Sequence, residues 1–166
     1  SSSAASDVYK RQALDIDPRK LETAKALGAK KTFNSSLANG SDKLKQITKH
    51  CLMAIIDTHG SSGSANIAVR ALAKAGTYLV VGQAGGDFKI PIIWLPQKAM
   101  TVRGSHVGNS PQLRKLINMV REKKIKQIPI ERRSLSHINQ AITDLESGKV
   151  NGRIVFNPDT SQDLAG

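Results

Sequence analysis

Asp15 is the first side chain in this sequence placed to do chemistry. Ala13-Leu14-Asp15-Ile16-Asp17-Pro18 is a short apolar run closed by an acid, and it runs straight into a helical pattern over residues 18–27. A carboxylate at such a strand end can grip a ribose. In a dinucleotide-binding fold it does so about 20 residues after the G-x-G-x-x-G turn that holds the pyrophosphate. Here twelve residues precede Ala13 and none is glycine. The chain therefore reads as the back part of a nucleotide-binding enzyme whose front part is missing.

Other reactive residue types are scattered. Gly60-Ser61-Ser62-Gly63 lies between a strand and a helix, the right context for a phosphate loop, but it lacks the first G-x-G step and reads as a tight turn at a cofactor cleft. Gln83-Ala84-Gly85-Gly86 is too sparse for a phosphate cradle. Asp57 ends a strand and reads as a strand-end cap facing the cleft rather than as a catalytic acid. Cys51, His50, His59, His106 and His137 show no spacing that fits a zinc motif. Each histidine reads as a surface or helix-cap residue, so neither a catalytic residue nor a metal ligand set is assigned.

The length of 166 residues allows one domain or parts of two. A hydrophobic fraction of 39% suffices for a core, and aromatics at 4% make that core aliphatic and alanine-rich. No apolar run approaches the ~20 residues that span a bilayer, and residues 1–12 contain no apolar stretch of the secretory type. One cysteine excludes an intrachain disulfide, so a cytoplasmic setting is expected. The net charge of +12 admits a nucleic-acid partner. The cations are spread over every helix, however, with the densest run at Arg121-Glu122-Lys123-Lys124-Ile125-Lys126, and no aromatic RNA-binding motif accompanies them. Solvated helix faces are the preferred reading.

The elements alternate. Strands are expected at residues 13–17, 31–33, 53–57, 77–82, 100–104 and 153–156. The 53–57 run is continuously apolar, as in a sheet buried on both faces. Helices are expected at 18–27, 42–50, 64–75, from Ser110, and at 136–147, with at most one turn at 92–98. Leu44, Ile47 and Cys51 would share one stripe, and residues 126–130 would be extended. Strands joined by helices at this spacing imply right-handed crossovers and a parallel sheet. Ser1 to Ser6 is low complexity. Asp7-Val8-Tyr9-Lys10-Arg11-Gln12 resembles the conceptual translation of a sequencing adapter, so residues 1–12 are expected to be a disordered, non-native terminus. Residues 159–166 form a polar tail.

Several collinear segments together resemble the zinc-dependent medium-chain alcohol dehydrogenases (medium-chain dehydrogenase/reductase superfamily). They are Asp15-x-Asp17-Pro18-x-Lys20-Leu21 with Ala24-Lys25-Ala26-Leu27-Gly28-Ala29; Ile55-Ile56-Asp57; Ala75-Gly76-Thr77 with Val80-Val81-Gly82; Gly104-Ser105-His106-Val107-Gly108-Asn109; Leu145-Glu146-Ser147-Gly148-Lys149; and Gly152-Arg153-Ile154-Val155. The Gly-Ser-x-Val-Gly stretch is similar to the yeast-type, NAD-dependent branch.

The resemblance implies an α/β fold: an incomplete doubly wound (Rossmann) parallel sheet lacking its first strand over residues 13–108, followed by a helix-strand segment of the catalytic domain over 109–158. It implies NAD as cofactor, zinc in the full-length parent, an alcohol or aldehyde substrate, and a homo-oligomeric parent, dimer or tetramer. Asp15 would hold the adenosine ribose with Lys20 beside it. Thr58 would line the cleft, Val81, Ser105 and Val107 would meet the nicotinamide carboxamide, and Arg153 would pair with the pyrophosphate. The family's zinc-ligand segments and glycine fingerprint have no counterpart here, so the fragment itself is expected to be inactive. The alternatives are a zinc-free quinone reductase of the same superfamily and, in another class, a basic nucleic-acid-binding domain.

Overall fold

The computed structural model describes residues 11–36 and 39–157. The expected non-native character of residues 1–10 and the polar tail at 159–166 lie outside the described residues. Two compact units are present, one of Ser1–Thr32 with Lys115–Gly166 and one of Phe33–Arg114.

In the first unit, β1 (Gln12–Asp15) leads to α1 (Pro18–Ala26) and pairs with β2 (Lys31–Asn34), which runs on into the second unit. The strand begins at Gln12, and the Arg11 carbonyl accepts the Lys30 N–H at 3.0 Å. The expected disorder through residue 12 is thereby corrected: pairing extends back to these two residues. Asp17 caps α1 by accepting the Arg19 N–H at 2.9 Å, and Pro18 occupies a first-turn position that needs no donor. Leu21 is buried, and Gly28 at φ 113 ends the helix.

Later in the chain, β6 (Ile130–Arg133) runs parallel to β7 (Arg153–Phe156), with Ile130 opposite Arg153 and Arg133 opposite Phe156. A short 3-10 turn (Leu135–His137) and a helix (Ile138–Glu146) connect them. The extended segment expected at 126–130 thus gives way to a strand that begins only at Ile130 and runs to Arg133. Arg133 pairs with Glu131 and Asp144, each at 2.8 Å, and so ties β6 to the connecting helix. Three bonds hold α1 to this part of the unit: Arg19 to the Gly148 carbonyl at 3.0 Å, Asn151 to Thr23 at 2.7 Å, and Lys126 to the Ala26 carbonyl at 2.8 Å. The last places a cation on the negative end of a helix.

In the second unit, β3 (Ala54–Asp57), β4 (Thr77–Val80) and β5 (Thr101–Gly104) form a parallel sheet in that order. With β1 paired to β2, these are the pairings of the expected strand order with its first strand missing. The helices of this unit are α2 (Gly40–Ile47), α3 (Ser62–Ala71) and α4 (Trp94–Lys98). Alanines on α3 let its backbone approach closely, and the core is Ala65, Ala68, Val69, Leu72, Tyr78 and Met100. Leu52, Ile55, Val80 and Trp94 pack around it. Ser61 caps α3 reciprocally with Ser64.

Two expectations for this unit are corrected. The helix placed at 42–50 occupies Gly40–Ile47, because Lys49 and His50 turn left-handed at φ 51 and 60. Cys51 is therefore exposed and not on the Leu44 stripe. Strand β3 is not buried on both faces, since Ala54 and Ile56 are exposed, Ile56 by 65%.

The helix α5 (Ser110–Arg121) and α6 (Ile138–Glu146) leave Leu113, Ile117, Ile138 and Ile142 exposed. No helix among the described residues is long and apolar enough to cross a membrane.

Candidate functional site

The parallel register fixes where the second unit can bind anything. Asp57 lies opposite Val80, and Val80 opposite Gly104. The residues that follow, Thr58, Val81 and Ser105, therefore leave the sheet along one carboxyl edge, where open α/β sheets bind ligands. Backbone bonds hold this edge: Val81 N–H to the Asp57 carbonyl at 2.9 Å, Gly82 N–H to the same oxygen at 3.0 Å, and Ser105 N–H to the Val80 carbonyl at 2.9 Å. Thr58, Val81, Ser105 and Val107 are all exposed, Val107 by 81%.

Asp57 organises the loops of that edge. It is buried. Its Oδ1 accepts the N–H groups of His59 at 2.9 Å and Gly60 at 2.8 Å, and its Oδ2 accepts the Tyr78 hydroxyl at 2.7 Å. Burial pushes its carboxyl up, but the bonds from Gly60, Ser64, Tyr78 and His59 outweigh that and hold it below the usual carboxylate value. The same burial, with the carboxylate alongside, drives the Tyr78 phenol upward. Asp57 is thus an acceptor for backbone and phenol, as a strand-end cap should be. Tyr78, its partner, was not picked out from sequence; it is the one buried residue of β4, whose other three are half-buried.

Gly60-Ser61-Ser62-Gly63 forms a tight turn. Gly60 has φ 69, and a Cβ there would meet the Gly82 carbonyl, so backbone passes directly over backbone. The next segment runs alongside, with the Ala84 N–H on the His59 carbonyl and the Gly85 N–H on the Gly60 carbonyl. A hollow of about 530 Å³ opens beside Ser62, Asn66, Gly86, Phe88 and Lys89. None of the residues expected at the site lines it.

In the first unit, Asp15 closes β1, half-buried. Its Oδ1 accepts the Asp17 N–H at 2.9 Å. Lys20 lies in the first turn of α1. Arg153 is exposed at the start of β7, with its guanidinium on the neighbouring Gly152 carbonyl at 3.1 Å. The three share a unit, but no hydrogen bond joins them to one another.

Among the described residues no group of three or more His, Cys, Asp or Glu side chains could hold a metal ion.

The profile described as zinc-binding dehydrogenase matches residues 9–122. The chain belongs to that family. The NAD-dependent alcohol dehydrogenase of Saccharolobus solfataricus is 30% identical over 148 residues, which are 87% of this chain and 42% of that protein. An alcohol dehydrogenase of Moraxella sp. is 32% identical over 144 residues, with the same coverage of 87% and 42%. The crystal structure of the alcohol dehydrogenase from the archaeon Aeropyrum pernix superposes with a TM-score of 0.83 at 27% identity, covering 89% of this chain and 42% of that one. This zinc-binding dehydrogenase chain therefore spans 42% of the length of these curated relatives.

Proposed function

We propose that this chain is the nucleotide-binding part of an NAD-linked alcohol dehydrogenase, a protein that moves a hydride between an alcohol and its aldehyde or ketone. The observation that carries the choice of NAD is Asp15, a carboxylate at the end of β1 with one oxygen tied to the Asp17 N–H and no hydrogen bond to the other among the described residues. Such an oxygen accepts from a ribose hydroxyl and repels a 2′-phosphate. Lys20, in the adjoining turn, would sit beside the same ribose.

Thr58, Val81, Ser105 and Val107 would meet the nicotinamide end. The alcohol dehydrogenase activities of the Saccharolobus and Moraxella relatives support this reading, as does the shared carboxyl edge of β3, β4 and β5. Arg153 would meet the pyrophosphate, since among the described residues its fork holds only the neighbouring Gly152 carbonyl. Bound nicotinamide would supply the hydride acceptor. Residues 109–158 would belong to the catalytic domain of the whole protein, which accords with the exposed apolar faces of α5 and α6.

The test is calorimetric titration of the chain with NAD and with NADP, repeated on Asp15→Asn. NAD should bind more tightly, and the substitution should erase most of the difference. Equal affinities in the unsubstituted chain would remove the reading.

A further inference from the structure

The loop that delivers Arg153 is tied down along its length, and the ties run to α1. It spans residues 147–152, between α6 and β7. Gly148 and Gly152 turn left-handed at φ 69 and 108, a conformation glycine adopts without steric cost. Val150, between them, is buried. At the far end the Arg153 N–H bonds the Pro129 carbonyl at 3.0 Å, and a Cβ on Gly152 would run into that same carbonyl.

Two neighbours on one face of α1 reach the loop. The Arg19 guanidinium donates to the Gly148 carbonyl at 3.0 Å, and the Asn151 amide donates to Thr23 Oγ1 at 2.7 Å. Arg19 and Thr23 are four positions apart and so lie one above the other on the helix. The Thr23 hydroxyl donates to the Arg19 carbonyl at 3.1 Å, which leaves its oxygen to accept from Asn151. Arg19 is itself gripped by Asp17, Nε to Oδ1 at 3.2 Å and Nη2 to Oδ2 at 2.7 Å, and the Asp17 N–H bonds Asp15 Oδ1. A continuous chain of bonds therefore leads from Asp15 through Asp17, Arg19 and α1 to the backbone on which Arg153 stands. The Arg153 side chain is left out of it, exposed and in no ion pair among the described residues.

We infer that Arg19, Thr23 and Asn151 are positioning residues: they hold the backbone of Arg153 in register with Asp15, so that the ribose and the pyrophosphate of one dinucleotide are met together. The inference rests on the nucleotide-binding reading of Asp15 and Arg153 above. Arginine is a long side chain, and a wandering backbone beneath it adds to the freedom that binding must remove. With the loop pinned, only the side chain has to settle. The Arg19 fork is already committed to Asp17 and Gly148, so Arg19 acts through the loop and does not meet the phosphates itself.

The experiment is titration of the full 166-residue chain with ADP-ribose and with adenosine, followed by amide chemical shifts. Asn151→Ala and Thr23→Val each delete the bond between α1 and the loop without changing a charge. Each should weaken ADP-ribose about three- to tenfold, the worth of one net hydrogen bond, and leave adenosine, which carries no phosphate, at the parental affinity. Thr23→Ser keeps the hydroxyl and should bind both ligands as the parent does. Arg153→Gln should weaken ADP-ribose alone, and adding Asn151→Ala to it should cost little more, because the bond works through Arg153. Equal losses for the two ligands would assign the bonds to general stability and overturn the inference. Unchanged ADP-ribose affinity, or a loss that adds in full to that of Arg153→Gln, would overturn it too. Parental ADP-ribose affinity in Arg153→Gln would remove the phosphate role of Arg153 and the inference with it, while leaving the ribose role of Asp15 to its own test.

Discussion

Tyr78, in the buried face of β4, donates its hydroxyl to Asp57 Oδ2 at the end of β3, at 2.7 Å. One carboxylate thus joins two strands and, through His59 and Gly60, fixes the loop that leaves the sheet. Tyr78→Phe keeps the ring in the core and deletes only the donor. It should cost about 1–3 kcal/mol, the range for a buried acceptor that loses a partner. Urea unfolding of the two proteins side by side measures the difference; equal midpoints would show that the bond contributes nothing.

The acid limb of stability should carry the mark of Asp57. Its carboxyl is lowered in the folded chain relative to its ordinary value near 3.8. A depressed carboxylate stabilises the fold above its unfolded pKa, and that stabilisation is lost as pH falls through the folded value. Asp57→Asn should therefore be less stable than the parent at neutral pH, and the gap should narrow below about pH 4. Unfolding midpoints taken from pH 7 to pH 3 test this; a gap that widens with acid would have the wrong sign.

The turn ahead of α3 depends on the reciprocal bonds of Ser61 and Ser64. Ser61→Ala should lose roughly 1 kcal/mol, as helix N-caps do. The amides of Ser64 and Ala65 should exchange faster. A variant with unchanged stability and exchange would assign the cap no energetic role.

The 166-residue chain by itself should turn over no primary alcohol. The sequence contains no G-x-G-x-x-G turn, and no three-residue metal cluster occurs among the described residues. Absorbance at the NADH band, with ethanol, NAD and zinc present, should stay at the blank. Zinc-dependent NADH production by purified chain would contradict this.

The α/β alternation was legible because its signals are local. Asp17 and Pro18 announce α1, and the apolar runs at 53–57 and 77–82 announce β3 and β4. Strand β6 was not, since Ile130-Glu131-Arg132-Arg133 has no apolar period and is a strand only through its pairing with β7. The start of α2 was missed because Asn39, at φ 61, caps it by backbone conformation without a side-chain bond. The exposure of β3 is a tertiary fact: an apolar strand looks the same in sequence whether one or two neighbours flank it. For the candidate site, the register that aligns Thr58, Val81 and Ser105 follows from strand order. The Asp57–Tyr78 bond spans 21 positions and leaves no pattern between them.

The most direct measurement is amide chemical-shift mapping of the chain during titration with NAD and with NADP. If it is the nucleotide-binding part of an NAD-linked dehydrogenase, NAD should shift Asp15 and Lys20 together with Thr58, Val81 and Ser105, and NADP should do so only at much higher concentration. Shifts confined to the hollow beside Ser62 and Asn66, or identical responses to the two nucleotides, would contradict that function.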